Sequence, residues 1–292
     1  MLLDEPFRAS AAIAAGVVTR GRLRGPRFVR LFPDVYVRVG ETPPDLLVRS
    51  IGAAELVAGR GMLGGWSAAR LLGADAAPRN APAEVVVTRE QRAHPGLLVR
   101  RGVVEAAETW SAHGCPVTSP LRTAYDLARR LPLVEAVVAV DALARVPAAG
   151  FVPSDLLQRR EPGARGCRRL DRVAELADPR AESPMETRTR LMLVLSGLPA
   201  PEVQYVLRDA GGRVVARFDL AYPRAGLAIE YDGAGHDVFG QRGLGYDDRR
   251  RDLRTGALGW RTIRLTAADL TTRRADTVAA VRAHLAATPR PT

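Results

Sequence analysis

The sequence contains no lysine, so all 43 of its basic residues are arginines. A preference for arginine can reflect a GC-rich genome and carries no functional information by itself. Cys115 and Cys167 lie far apart without CxxC spacing, which argues against a disulfide framework and fits a reducing cytoplasm. No apolar run reaches the roughly 18–20 residues of a membrane span, and the N-terminus has two acids before its first base, unlike a signal peptide. We therefore expect a cytoplasmic protein that is not embedded in a membrane.

The charge balance is the first positive indication of function. The 292 residues, 47% of them hydrophobic, leave room for two or three compact units with real cores. The net charge of +11 is spread along the chain, +6 over residues 1–179 and +5 over residues 180–292. Surplus guanidinium charge attracts polyanions, and its planar fork suits phosphate oxygens. We therefore predict a nucleic-acid partner, most simply DNA.

Residues 1–45 predict a small winged helix-turn-helix. Residues 7–16 fit a short helix, and Thr19 can cap a second one. Residues 28–40 alternate apolar and polar around a central turn, which is typical of a two-stranded hairpin. The alternative is a basic α/β cap with no nucleic-acid role. The candidate DNA contacts here are Arg20, Arg22 and Arg24.

Residues 46–178 predict an α/β domain. The predicted elements are helical stretches over 45–73, strands at 84–88 and 97–102 around a polar turn, two helices over 119–146 split near Pro132, and short helices at 153–159 and 167–177. The chain then becomes richer in proline, glycine and charge, and we place a domain boundary at 178–184.

Residues 179–292 predict the element order α-β-β-β-α-β-α. The helices are expected at 184–198, from Asp247 to a glycine stop, and at the C-terminus, and the strands at 203–209, 214–222, 227–233 and 260–266. The whole chain is therefore expected to be of the α/β (α+β) class.

The strongest chemical signal is the stretch 218–236. Glu230 and Asp232 lie two apart in one strand and so project from one face, and a tight turn can bring Asp219 of the preceding strand beside Glu230. Converging carboxylates repel one another and lose solvation, which is costly unless a cation or a proton compensates. The pattern therefore predicts an oxygen-rich site for Mg²⁺ or Mn²⁺, with Asp219 and Glu230 as ligands.

Two further residues complete the predicted site. His236 could serve as a base or orient a water molecule, and Glu186 on the preceding helix could be a further oxygen ligand or a water-mediated partner. The plainer interpretations are solvated strand-edge acids for Asp219 and Glu230, a turn residue for Asp232, a loop histidine for His236 and a helix-start acid for Glu186.

The D-x(10)-E-x-D-G-x-x-H pattern, the upstream ESPMETRTR helix and the downstream DDRRRDLRTGALGWRTIRLTAADL segment together resemble the PD-(D/E)xK superfamily. More narrowly, they look like an uncharacterised bacterial family related to the very-short-patch mismatch-repair endonuclease. The resemblance implies a restriction-endonuclease-like fold and a divalent-metal DNA phosphodiesterase, with Asp219 and Glu230 as the two motif acids. Asp232 stands where the superfamily has its lysine. Either His236 substitutes for it, or the site is weakened or retired.

A basic helix follows the predicted site. Arg250 and Arg254 are four apart and could contact one run of phosphates. The arginines alternate with acids, so a salt-bridged helix face is the alternative. Trp260 could stack on a base, but it begins a strand and is more typical of a core residue.

The N-terminal half carries a second resemblance. The segments RLFPDVYV, GWSAARLLG, EVVVT and GCPVTSPLRTAYDLAR look like the AbiEi-type antitoxin family, which joins a winged helix to an α/β domain. Pro33-Asp34 stands where that family usually has a glycine. Arg122 and Asp126, four apart, are expected to pair for structural reasons.

Three functions remain open from the sequence. The leading one is a metal-dependent DNA endonuclease with an N-terminal DNA-binding module. The alternative is an antitoxin-like transcriptional regulator whose nuclease fold is inactive. The third is an RNA-directed nuclease or toxin.

Overall fold

The computed structural model describes residues 4–161, 163–232 and 244–287, with the side chains of the helix that starts at Leu244 described from residue 249. The chain divides into two compact units, Met1–Glu175 and Leu176–Thr292. In the described residues, helices combine with three separate sheets, which confirms the predicted α/β (α+β) class. The partition into 1–45, 46–178 and 179–292 stays a prediction. Within the described ranges, no helix has the length and apolar character needed to cross a membrane.

The start of the first unit forms a three-stranded sheet with two short helices. Its elements are β1 (Phe7–Arg8), α1 (Ala9–Ala14), α2 (Arg20–Leu23), β2 (Phe28–Phe32) and β3 (Val35–Arg38), with sheet order β1-β3-β2. The predicted hairpin and the capped second helix are confirmed, since Thr19 Oγ1 accepts from Arg22 N at 3.3 Å. The prediction of a helix from residue 7 was wrong at its start. Phe7 pairs with Tyr36 as a strand and packs edge-on against Phe28.

The second sheet of this unit has five strands. Its elements are α3 (Leu46–Val57), β4 (Gly61–Leu63), α4 (Gly65–Leu71), β5 (Ala83–Val87), β6 (Leu97–Arg101), β7 (Thr109–Ala112) and β8 (Cys115–Thr118), with sheet order β6-β5-β4-β8-β7. The two predicted strands are present as β5 and β6, but they run parallel. The polar segment between them is therefore a crossover and not a hairpin turn.

Four α-helices complete the described part of the first unit. They are α5 (Pro120–Arg130), α6 (Leu133–Arg145), α7 (Asp155–Gln158) and α8 (Leu170–Leu176). The predicted helix start is confirmed, because Ser119 caps α5 through a hydrogen bond from Arg122 N and Pro120 is the first helical residue. The predicted split is confirmed as well, since Pro132 occupies the N-cap of α6.

A buried ion-pair cluster joins α5 to two neighbouring segments. Arg122 donates from Nη1 to Glu108 at 2.6 Å and from Nε to Asp126 at 3.0 Å. Glu108 also accepts from Arg159, just after α7. Guanidinium hydrogen bonds lower the pKa of Glu108 against the opposing effect of burial. The expected structural pairing of Arg122 with Asp126 is confirmed, and in this pair each buried charge compensates the other.

The second unit has the predicted order, with one change at its end. Its elements are α9 (Pro184–Leu195), β9 (Glu202–Arg208), β10 (Val214–Tyr222), β11 (Leu227–Tyr231), α10 (Leu244–Ala257), β12 (Arg261–Leu265), α11 (Ala267–Leu270) and α12 (Arg274–Ala287). The single closing helix that the pattern predicted is therefore two helices. Thr266 and Asp269 form a capping box that starts the first of them.

The sheet of this unit has the order β12-β11-β10-β9. The strands β9, β10 and β11 are antiparallel neighbours, whereas β11 and β12 are parallel and α10 crosses between them. One apolar cluster joins the sheet to α9 and α12. In a second cluster Trp260 stacks on Tyr205 and Phe218, with ring centroids 5.2 and 5.1 Å apart. This packing supports the interpretation of Trp260 as a core residue.

Gly226 provides the close approach between β11 and the start of β12. Its φ of +56° is left-handed, and a Cβ there would lie 2.5 Å from the carbonyl oxygen of Gly259. Gly197, after α9, has a φ of +80° but nothing within 4 Å of a built Cβ. An alanine at Gly197 would therefore introduce conformational strain alone, whereas an alanine at Gly226 would also make a steric contact.

We expect Gly197→Ala to lower the free energy of unfolding by about 1 kcal/mol, the cost of a left-handed alanine. Gly226→Ala should cost clearly more, because a backbone carbonyl must also move. Urea unfolding of both variants tests this expectation. Equal losses would mean that the carbonyl of Gly259 moves away freely.

Candidate functional site

The register of β10 and β11 brings two acids together. Leu220 pairs with Ile229, and the next position in the same register brings Asp219 beside Glu230. The backbone N–H of Tyr231 donates to Asp219 Oδ2 at 3.2 Å. The juxtaposition that the sequence predicts for Asp219 and Glu230 is therefore present.

A third acid comes from α9. Ser183 caps this helix by accepting from Glu186 N at 3.1 Å, which orients the first turn. The Glu186 side chain is buried, and its Oε2 accepts from Glu182 N and from Gln204 Nε2, both at 2.8 Å. Glu186 therefore has the capping contacts of a helix-start acid and also adds negative charge near Asp219.

The half-buried Asp219 has a strongly raised pKa. Loss of solvent contact raises its pKa to about 6, and the negative charges of Glu186 and Glu230 act in the same direction. The hydrogen bond from Tyr231 N and the charge of Arg251 oppose the rise. The plainer interpretation of Asp219 as a solvated strand-edge acid therefore does not describe its environment.

Glu230 is held by arginines. Arg251 of α10 contacts both of its carboxylate oxygens, and Arg264, its neighbour in β12, lies 3.8 Å from Oε2. Only 14% of the Glu230 side chain is exposed. The negative charge of Glu230 is therefore balanced within the protein.

Arg251 has two further anchors. Its Nη2 donates to the carbonyl oxygen of Arg217 at 2.8 Å, and its guanidinium lies 5.4 Å from the ring centre of Phe218. Arg251 belongs to the predicted basic helix, but it was not among the arginines predicted to contact nucleic acid.

Gln204 was also missed, and nothing in its sequence context distinguishes it. It lies between the pairs Val203–Leu220 and Tyr205–Phe218, level with Asp219. Its φ of +54° is unusual for a residue other than glycine, and its Oε1 is buried without a hydrogen-bond partner in the described part of the chain. The amide nitrogen of Gln204 is therefore bonded to Glu186, whereas its amide oxygen is buried without a partner in the described part of the chain.

The other predicted site residues do not join this cluster. Asp232 is exposed beyond β11, its N–H donates to Leu265 O at 2.8 Å, and its carboxylate has no partner among the described residues. His236 lies outside the described residues. Within the described ranges, no three His, Cys, Asp or Glu side chains are arranged to hold a metal ion. The metal roles predicted from the sequence therefore stay predictions.

The predicted DNA contacts of the first unit are accessible. Arg20, Arg22 and Arg24 are exposed in and after α2 and make no ion pair with any described residue. Thr19 fixes the start of this helix, as predicted. Three guanidinium groups therefore remain available for an external anion.

The acids of the basic helix α10 pair with only part of its arginines. Arg250 and Arg254 are exposed, and Arg254 Nε donates to Arg250 O at 3.3 Å within the helix. Asp252 binds Arg264 of β12 at 2.7 and 3.0 Å. The alternative of a salt-bridged helix face therefore does not account for Asp252, whose partner lies in β12.

Comparison with known proteins supports the resemblance of the first unit. A family model for the AbiEi antitoxin C-terminal domain matches residues 61–179. Uncharacterized protein MT2308 and Uncharacterized protein Rv2248, from two strains of Mycobacterium tuberculosis (CDC 1551 / Oshkosh and ATCC 25618 / H37Rv), are each 29% identical to the chain over 259 residues, 88% of this chain and 92% of the relative. No solved structure matches the chain significantly. The endonuclease resemblance of the second unit stays a prediction.

The raised pKa of Asp219 gives a test of the site in the absence of metal. A carboxyl group whose pKa rises from 3.8 to about 6 binds its proton more tightly in the folded state. The stability that this tighter proton binding contributes is therefore complete below pH about 4 and is lost as the pH rises through about 6. Asp219→Asn imitates the protonated form, so with EDTA it should unfold at a higher temperature than the wild type at pH 7.5.

Solvent screening reduces the expected gain to about 1 kcal/mol, a few degrees in melting temperature. The gain should vanish near pH 4. Asp276→Asn, at an exposed position in the first turn of α12, is the matched control and should show no such dependence. If Asp219→Asn unfolds at a lower temperature than the wild type at pH 7.5, negative charge on Asp219 does not destabilise the folded protein, and the interpretation is wrong.

Proposed function

We propose that the protein is an antitoxin-like DNA-binding regulator and that its first unit binds the DNA. The observation that carries this proposal is the match of residues 61–179 to the AbiEi antitoxin C-terminal domain. It favours the regulatory alternative over the endonuclease as the main function of the chain. We place this function in the cytoplasm, where the two buried cysteines remain reduced thiols.

The DNA contact that we propose lies at the start of this unit. The helix α2 presents Arg20 and Arg22, and Arg24 follows at its C-cap. Their exposed guanidinium groups can replace counterions on DNA phosphates, which gives affinity without sequence selectivity. The β2–β3 hairpin is the second element that could enter a groove, as the wing of a winged helix.

Replacing Arg20, Arg22 and Arg24 with glutamine should weaken binding to a duplex that carries the region upstream of the gene. Each lost phosphate contact should reduce the slope of log affinity against log salt by about 0.9. Fluorescence anisotropy at several salt concentrations measures both quantities.

The matched control replaces three other exposed arginines of the same unit. Arg79, Arg89 and Arg92 have no ion pair among the described residues, so their exchange for glutamine removes equal charge. If both triple variants lose the same affinity for the duplex, the net charge of the protein accounts for the binding, and α2 is rejected as the contact.

A second candidate function is metal-dependent hydrolysis of nucleic-acid phosphodiesters by the second unit. The observation that favours it is the crowding of Asp219 with Glu186 and Glu230, which raises the pKa of Asp219 to about 6. A half-buried carboxylate beside other acids is costly for a structural role alone, although Glu230 itself is paired with Arg251.

The donor types are those that a hard divalent cation uses, although in the described ranges no three such side chains are arranged to hold a metal ion. Asp219 and Glu230 offer carboxylate oxygens, Glu186 adds a third carboxylate, and the orphaned Oε1 of Gln204 is a neutral oxygen donor. A bound Mg²⁺ or Mn²⁺ would polarise a phosphate oxygen and acidify a water molecule. Asp219 must be deprotonated to act as a ligand, and its pKa makes that state available at pH 7.

Purified protein with Mg²⁺ or Mn²⁺ should then nick supercoiled plasmid or cleave RNA, and Asp219→Asn should reduce this activity at least about 100-fold. Asp276→Asn should retain full activity. Absence of cleavage with both metals and both substrates would remove this candidate and leave the regulator.

A further inference from the structure

The segment between α7 and α8 concentrates positive charge in the first unit. Residues 163–169, which we call the basic loop, line a concavity of about 520 Å³. Arg165, Arg168 and Arg169 belong to this short segment, and all three are exposed. Three arginines therefore border a single pocket.

The basic loop is held against the C-terminal end of α5. Arg129 Nη1 donates to the carbonyl oxygen of Arg165 at 3.3 Å. A Cβ at Gly166 would collide with the carbonyl oxygen of Arg129, so the two backbones are in direct contact there. The buried Cys167 Sγ lies 3.3 Å from the hydroxyl oxygen of Tyr125. These contacts fix the backbone of the loop before a ligand binds, which reduces the entropic cost of binding.

The arginines of the basic loop have no acidic partner among the described residues. The three acids nearest to the loop in sequence each pair with an arginine outside it, at 2.9, 2.5 and 2.7 Å: Glu161 with Arg159, Asp171 with Arg160, and Glu175 with Arg172. Arg165 and Arg168 make no ion pair with a described residue, and Arg169 donates to the uncharged carbonyl oxygen of Leu131. The loop therefore carries three positive charges that lack a counter-charge in the described part of the chain.

We infer that the basic loop binds the terminal phosphate of a small phosphorylated molecule of the nucleotide class. A guanidinium fork matches two phosphate oxygens, and a terminal phosphate carries roughly −1.5 to −2 charges at pH 7. The concavity of about 520 Å³ lies within the roughly 300–1,000 Å³ that is usual for small-molecule sites. The inference is independent of the DNA contact proposed for α2 and adds a ligand to the first unit.

The concave shape favours a small molecule over a DNA backbone. A backbone phosphate is a diester with a single charge, and the sugars on both sides of it hinder its entry into a concavity that one short loop forms. A terminal phosphate has three free oxygens, enough to accept hydrogen bonds from more than one arginine. The pocket therefore suits the end of a molecule better than the middle of a polymer.

Isothermal titration calorimetry of the full chain at constant ionic strength tests the inference, with ADP and inorganic pyrophosphate as the probes. Both should bind. Cyclic AMP, whose only phosphate is a diester, should bind at least about tenfold more weakly than ADP, because it offers less charge and fewer free oxygens. Adenosine, which has no phosphate, should not bind.

Three variants identify the site. Replacing Arg165 and Arg168 together with glutamine should lower the affinity for ADP at least about tenfold, since two charged hydrogen-bond donors are lost. Replacing Arg89 and Arg92 with glutamine removes the same charge from exposed positions of the same unit and should leave the affinity unchanged. Gly166→Ala keeps every charge but displaces the loop from α5, so it should also weaken binding. Circular dichroism and melting temperature establish that each variant is folded.

Two calorimetric results would overturn the inference. One is that neither ADP nor pyrophosphate binds to the wild type. The other is that the two double-arginine variants lose the same affinity for ADP, because net charge would then account for the binding.

A short duplex DNA without terminal phosphates distinguishes the two sources of phosphate. The duplex should not displace ADP from the wild type. Displacement would assign the basic loop to a backbone phosphate and would reject the small-molecule ligand. ADP binding should also persist when Arg20, Arg22 and Arg24 are replaced with glutamine, and its loss in that variant would place the nucleotide at α2 and overturn the inference.

Discussion

The register between β10 and β11 is the constraint on which the second unit's site depends. It brings Asp219 beside Glu230, and the capped first turn of α9 adds Glu186 to the same region. Side chains in a strand alternate, so a shift of one residue would exchange these acids with the buried Leu220 and Ile229. The apolar core therefore holds the carboxylates at a distance that their own repulsion opposes.

Arginine serves two physical purposes in this chain, and net charge does not separate them. Arg122 and Arg251 are enclosed with carboxylates and stabilise the contacts of helices with neighbouring segments. Arg20 and Arg22 project into solvent without a described partner. The excess of +11 therefore attracts polyanions in general, and only the exposed groups decide where one would bind.

Periodicity and capping signals predicted most helices and strands, because alternation and Ser-Pro starts are local properties. Local patterns could not show that β5 and β6 run parallel, since that depends on β4 and β8. For the site, spacing across a tight turn was enough to predict the meeting of Asp219 and Glu230. Gln204 and Arg251 reach the acids only through tertiary packing, so their roles could not be derived from spacing alone.

The two connections of α10 are unequal in length, and this has a mechanical consequence. Three residues join the end of α10 to β12, whereas twelve separate the end of β11 from its start. A helix of 14 residues is about 21 Å long, and the short connection fixes its C-terminal end beside Trp260. Arg251 lies near the middle of this length and binds Glu230 of β11 and the Arg217 carbonyl of β10. Its guanidinium therefore attaches the middle of the helix to both strands that carry the acids, and α10 cannot turn about its short connection without breaking these contacts.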